Sequence, residues 1–240
     1  MPHSGSPVVT RLGGIGNRLL SPLPRADFDL LAPELETVAL DQEAVVARAG
    51  DRVEHVFFPN SGAISLMIDM ANGQTVATAL VGRDGLVGSL SVLGPLRSAI
   101  TAIVRVAGTA SRIPVSRFHA AFNRSPAIRH AVQIHMRAML IQFQLGAACN
   151  ALHPVEARFC RWLLQSADRA ASDTVTLTQE LLAEMLGVRR TSVTEVAGKM
   201  QHEGVITYSR GVIKILDRDG LERLSCECYA TLIDHSATLT

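Results

Sequence analysis

Apolar and polar residues follow one another in this chain with two different periods, and the change of period divides it. From about Thr37 to Pro114, short apolar runs are broken by turn residues, as in HVFFPNSGAISLMIDMANGQTVATALVGRDGLVG. Runs of this kind bounded by Gly, Pro, Asn and Asp predict β-strands. Asn72-Gly73, between SLMIDM and TVATALV, predicts a hairpin of type I′, whose two central residues both need positive φ. Asp51, Pro59-Asn60, Gly62 and Asp84-Gly85 mark further turns at the spacing of a small antiparallel barrel or sandwich.

The stretch SRFHAAFNRSPAIRHAVQIHMRAMLIQFQLGAACNAL then switches to a helical period. Ala127, Ala131, Ile134, Ala138, Ile141, Leu145, Ala148 and Leu152 alternate spacings of four and three without a polar member. That is an a/d seam of more than three heptads. Val132, Met136, Met139 and Phe143 form a second apolar face. One helix with two such faces, over 125–152, packs one on its own β domain and the other on a twin helix. The alternative is a core helix buried within one chain.

The remaining segments follow from their flanks. Residues 1–22, rich in Gly, Ser and Pro, are expected as a mobile tail, and Leu23–Leu35 as a short helix between Pro24 and Pro33. The β domain then occupies 23–124 and a C-terminal domain 153–240. The C-terminal domain opens with the helix VEARFCRWLLQSADRA. Its stretch LTQELLAEMLGVRRTSVTEVAGKMQHEGVI has the constraints of a helix-turn-helix. Thr178 caps the first helix from Gln179, Ala183 is small at the crossing, and Gly187 ends the helix in the left-handed conformation. Leu182, Leu186, Val193 and Val196 form the apolar wedge, and the second helix starts at Arg189 or Arg190 and ends near Glu203. Two short β-runs follow around Ser209-Arg210-Gly211, a hairpin in the place of a wing.

Composition narrows the picture. A chain of 240 residues with 48% apolar content suits two modest domains better than one. Lys plus Arg is 23 against 22 Asp plus Glu, so any anion-binding surface is local. Arg189 and Arg190 are such a surface. At a helix N-terminus each positive charge costs roughly 0.3–1 kcal/mol unless an anion lies opposite. Cys149, Cys160, Cys226 and Cys228 lack the spacing of a zinc module or a secreted disulfide framework, so no metal site is expected. The Cys226–Cys228 pair could bind metal or oxidise, although such a pair on a terminal helix is more often inert. No leader peptide and no apolar run long enough for a membrane span are visible, which fits a cytoplasmic protein. Gly13–Gly16 lacks the final glycine of a dinucleotide loop, and there is no G-x-S-x-G or H-E-x-x-H, so no catalytic residue is assigned.

Together with the order of segments, the stretches LTQELLAEMLGV, VAGKMQHEGVI, RGVIKILDRDGL and GSLSVLGPLRSA resemble the Crp/Fnr family of bacterial transcription regulators. The resemblance implies an α+β chain: an N-terminal antiparallel β-roll or jelly-roll sensor domain, a long dimerisation helix, and a C-terminal winged helix-turn-helix. It implies a homodimer on double-stranded DNA, with half-sites one helical turn, roughly 34 Å, apart, and RNA polymerase as a partner if the protein activates. Arg190 matches the family arginine that meets a guanine edge. Arg189 is left to phosphate or base, and Thr191 and Glu195 depart from the family pattern. Thr178, Gln179, Ser192, Thr194, Lys199, Arg210 and Lys214 complete the expected DNA contacts. In the sensor domain Gly88–Ala99 matches the phosphate-binding cassette, with Gly88, Ser89, Arg97 and Ser98 as effector residues. Ser89 stands where the family carries a glutamate for the ribose, which argues against cyclic AMP. Arg97 then serves another anionic effector or a structural ion pair. An iron–sulfur cluster is not expected, because the N-terminal half has no cysteine. The competing function is an effector-binding dimeric module whose winged domain docks a protein instead of DNA.

Overall fold

The computed structural model describes residues 16–94 and 97–237. Ten strands are present among them: β1 (Glu36–Leu40), β2 (Val45–Ala47), β3 (His55–Pro59), β4 (Ala63–Asp69), β5 (Thr75–Val81), β6 (Thr101–Val106), β7 (Gly108–Pro114), β8 (Thr174–Thr176), β9 (Ile206–Ser209) and β10 (Val212–Ile215). The helices are α1 (Arg25–Phe28), α2 (Val115–Arg124), α3 (Pro126–Leu152), α4 (Val155–Ala170), α5 (Gln179–Leu186), α6 (Arg190–His202), α7 (Arg218–Leu224) and α8 (Cys228–Ala237). Two antiparallel sheets, β1-β7-β3 and β2-β6-β4-β5, form the N-terminal roll, and β8-β10-β9 forms the wing.

The tail expected over 1–22 lies outside the described residues up to residue 15, and the rest of it is fixed. Asn17 is fully buried and its side-chain amide donates to the carbonyls of Pro59 and Gly85, each at 2.9 Å. Leu20 joins the apolar cluster of Leu31, Phe58 and Phe118. A short apolar anchor beside one buried amide outweighs the local Gly/Ser/Pro composition.

The Asn72-Gly73 turn also departs from the two-residue form. The amide of Gly73 donates to Met70 and the amide of Met70 to Gln74, and Gly73 alone has positive φ, at 81°. This is a longer loop with one left-handed glycine, the common alternative to type I′. The Asn72 side chain stabilises it by accepting from the Gln74 amide at 3.0 Å.

Strands β4 and β5 are buried on both faces, which a half-solvated roll would not require. Ile64, Leu66, Ala79 and Val81 point into the roll, where they meet Val38, Leu40, Val104 and Met139. Ala63, Met67, Ala77 and Leu80 belong instead to the core of the C-terminal domain, with Phe159, Leu163, Leu182 and Val193. Leu66 pairs with Ala79 and Met67 with Ala77, so Thr78 is an extra residue. This bulge changes the phase of the strand and lets Ala77 and Leu80 share a face. The winged domain is therefore packed onto the outer face of the sensor sheet. Arg105 of β6, buried at 1% exposure, spans that junction, donating to Glu43 at 2.8 Å and to Glu184 of α5 at 2.6 Å.

Candidate nucleic-acid interface

The helix-turn-helix is built from local constraints. Thr178 Oγ1 accepts from the Leu181 amide at 3.2 Å, which caps α5. Gly187 has φ 64° and ends α5, and the next amide, of Val188, turns back to the Ala183 carbonyl at 3.1 Å. A side chain at Gly187 would be strained there. Val193, Val196, Ala197 and Met200 face inward, while Arg190, Thr191, Thr194 and Glu195 are exposed along the opposite side of α6. Arg189 occupies the N-cap with no side-chain cap bond and is exposed, and Ser192 is half-buried. The first turn of α6 thus presents two guanidinium groups at the positive end of a helix whose amides have no side-chain cap.

A small network orients Arg190. Gln179, the first residue of α5, accepts at Oε1 from Arg190 Nε at 3.3 Å, and the Thr194 hydroxyl lies 3.0 Å from the same oxygen. The wing stands beside it. In its tight turn Arg210 and Gly211 have φ 51° and 80°, the two positive angles of a type I′ turn. Thr178, Gln179, Arg190, Tyr208, Arg210 and Gly211 line one concavity between the helices and the wing. Tyr208 was not among the residues expected from sequence. Its hydroxyl donates to the Leu177 carbonyl at 3.1 Å and its amide to Gln201 Oε1 at 2.6 Å, so it braces the wing against α6. Lys214 is exposed on β10. Lys199, expected as a phosphate contact, is exposed and paired with Glu156 of α4 at 2.8 Å. It lies nine residues along α6 from Arg190, on the side turned toward α4.

The sensor cassette brings Gly88, Ser89, Arg97 and Ser98 to the wall of one cavity of about 440 Å³. Gly88, with φ 96°, opens the short 3-10 turn Ser89–Leu93 and Ser89 is buried. The two residues expected to hold an anion are engaged within the chain. Arg97 Nη1 donates to the Gly50 carbonyl at 2.7 Å, and Ser98 Oγ to the Ile100 carbonyl at 2.6 Å. The rest of the wall is largely apolar, with Phe57 and Leu66 from the roll and Met136, Leu140 and Phe143 from α3. No carboxylate lines it among the described residues. His55, Ser91 and Arg137 add further polar groups to the wall. Met136, Met139 and Phe143 belong to the second apolar face read from the sequence; that this face closes the cavity was not anticipated, because periodicity does not say which cavity a helix face meets.

The long helix has two distinct faces. Ile128, Val132, His135, Met139, Gln142 and Cys149 are buried against the chain's own domains. Every member of the a/d seam remains half-buried or exposed, with Leu152 at 77%. Among the described residues no helix is long and apolar enough to cross a membrane.

Comparison with known proteins supports the same division. A model of the Crp-like helix-turn-helix domain matches residues 157–224, and a model of the cyclic nucleotide-binding domain matches 37–125. The chain is 26% identical over 209 residues to the HTH-type transcriptional regulator Cmr of Mycobacterium tuberculosis, covering 86% of this chain and 83% of that protein. In fold it is similar to a Crp/Fnr-family transcriptional regulator from Eubacterium rectale, with a TM-score of 0.69 at 18% identity, covering 86% of this chain and 97% of the other. FixK2 from Bradyrhizobium japonicum gives a TM-score of 0.68 at 14% identity, over 80% and 98% of the two chains.

Proposed function

This chain belongs to the Crp/Fnr family of transcription regulators, and on that premise we propose that it acts in the cytoplasm as a homodimer reading a pseudo-palindromic DNA site. The carrying observation is the exposed first turn of α6, where Arg190 is held by Gln179 beside the wing tip at Arg210. Arg190 is the base reader. Its Nε is engaged by Gln179, and the terminal nitrogens of the fork meet a guanine edge. Arg189, Arg210 and Lys214 meet phosphates, and Thr191, Thr194 and Glu195 line the groove face of α6. The a/d seam of α3, half-buried over most of its length and exposed at Ala148 and Leu152, supports the dimer. Its small alanines allow close approach of a twin helix, and dimerisation sets the two recognition helices one turn of DNA apart. A dimer of this kind would contact RNA polymerase where it activates.

The cavity beside α3 is the effector site in this reading. Its lining favours an apolar body over a nucleotide, and an occupant would touch α3 directly and so bear on the dimer.

The test is selection of bound sequences from random DNA with the purified protein. An enriched inverted repeat with half-sites about one helical turn apart is expected. Absence of any enriched inverted repeat would overturn the reading in favour of a winged domain that docks protein. Calorimetric titration with cyclic AMP and cyclic GMP addresses the cavity, and micromolar binding of either would overturn the apolar assignment.

A further inference from the structure

Four groups with metal-binding chemistry meet at the junction of the two domains. Cys149 lies in the last turn of α3 and His153 is the C-cap of the same helix, one turn on. Cys226 lies in the connection between α7 and α8, and Cys228 opens α8. All three cysteines are free and buried. The Sγ atoms of Cys149 and Cys226 are 3.5 Å apart, and Cys228 Sγ is 3.7 Å from His153 Nδ1. All four ligand atoms lie within 4.8 Å of one another.

These distances match one ion at the centre. Zinc–sulfur bonds of about 2.3 Å in a tetrahedron place the sulfurs about 3.8 Å apart. The outer shell matches as well. His153 Nε2 lies 3.1 Å from Glu227 Oε1, so that the carboxylate fixes the ring with Nδ1 turned toward the thiols. A carboxylate behind a ligating histidine is the usual support for such a ligand. The expectation of no metal site rested on sequence spacing, and the fold places Cys149 and Cys226 together across 77 residues.

We propose that Cys149, His153, Cys226 and Cys228 form a closed tetrahedral site for zinc(II) that fastens the start of α8 to the end of α3. Three thiolates and one imidazole are soft to borderline donors, and four protein ligands leave no open position for catalysis. Binding releases the thiol protons to solvent, and neutral His153 donates through Nδ1. The three-thiolate site carries a net negative charge, and Arg158 and Arg161 are the buried cations near Cys149. The site lies where α3 hands over to α4 at His153-Pro154, so the ion would fix the angle between the long helix and the winged domain.

Metal content of the full chain purified under reducing conditions, followed by cobalt(II) titration, tests this. About one zinc per chain is expected, and cobalt should give a thiolate charge-transfer band with tetrahedral d–d absorption. Cys228→Ser should abolish that band. Because a buried thiol variant can fail to fold, Glu227→Gln provides the second test. It sits on the surface and retains all four ligands, and should weaken zinc affinity about 10–100-fold. Cys160→Ala, at a cysteine outside the cluster, should leave zinc content unchanged. A chain without zinc that also gives no cobalt charge-transfer band would overturn the proposal. So would a Cys149–Cys226 disulfide that persists under reducing conditions.

Discussion

Replacing Glu184 with Gln tests whether Arg105 couples the sensor and winged domains. Arg105 is 1% exposed and has two carboxylate partners, Glu43 at 2.8 Å and Glu184 at 2.6 Å, on opposite sides of the junction. Glu184→Gln retains shape and an acceptor but removes the charge, leaving a buried guanidinium with one counter-ion. A hydrogen bond to a charged group contributes about 1.5–3 kcal/mol net. The Glu184 side chain is 39% exposed, so solvent screening lowers this to about 1–2 kcal/mol. For a chain of this size that corresponds to a fall in Tm of roughly 2–8 °C. The assay is a thermal melt by calorimetry, with Glu36→Gln as control. Glu36 pairs with Arg112 at a similar 2.8 Å, but both side chains reach solvent, and its loss costs at most about 1 kcal/mol. In a double-mutant cycle with Arg105→Met, the Glu184 effect should largely vanish. If Glu184→Gln and Glu36→Gln melt together, the buried guanidinium does not depend on Glu184 and the coupling argument is refuted.

Arg190→Ala should lower specific DNA affinity by about 1–3 kcal/mol and relax one base pair per half-site. Unchanged sequence preference in footprinting would contradict its role. Arg210→Ala should weaken binding to all sequences alike and reduce the salt slope by about 0.9 for each wing that meets a phosphate, as measured by titration at several salt concentrations. His135 is buried and its pKa is lowered to about 4, chiefly by burial, against the opposing pull of Asp84 and the Leu86 backbone. The unfolded chain binds that proton near 6.5 and the folded chain near 4. Stability is therefore full above pH 6.5 and declines as the pH falls toward 4, by up to roughly 3 kcal/mol. His135→Gln should flatten denaturant midpoints across that window, and an unaltered slope would assign the loss to other groups. Gly62 has φ +77° and a Cβ there would lie 2.4 Å from the Val106 carbonyl oxygen. Gly62→Ala should accordingly destabilise the roll by about 2 kcal/mol or more, read as a drop in urea midpoint.

The winged helix-turn-helix could be traced in the sequence because its determinants act over a few residues. Thr178 caps its own helix, Gly187 turns its own chain, and the inward set Val193, Val196, Ala197 and Met200 follows one helical period. The helical period of α3 was legible for the same reason, and the structure leaves Ala148 and Leu152 of its seam exposed and the other six members half-buried. Other features depend on residues that periodicity does not connect. A bulge at Thr78 turns two faces of one sheet toward two different cores. Arg105 finds Glu184 across 79 residues, and Cys149 finds Cys226 across 77. Local hydrogen bonding and apolar spacing determine which elements form. Which charges and thiols become neighbours is decided only when those elements pack, because burial brings them together and requires each to find a partner.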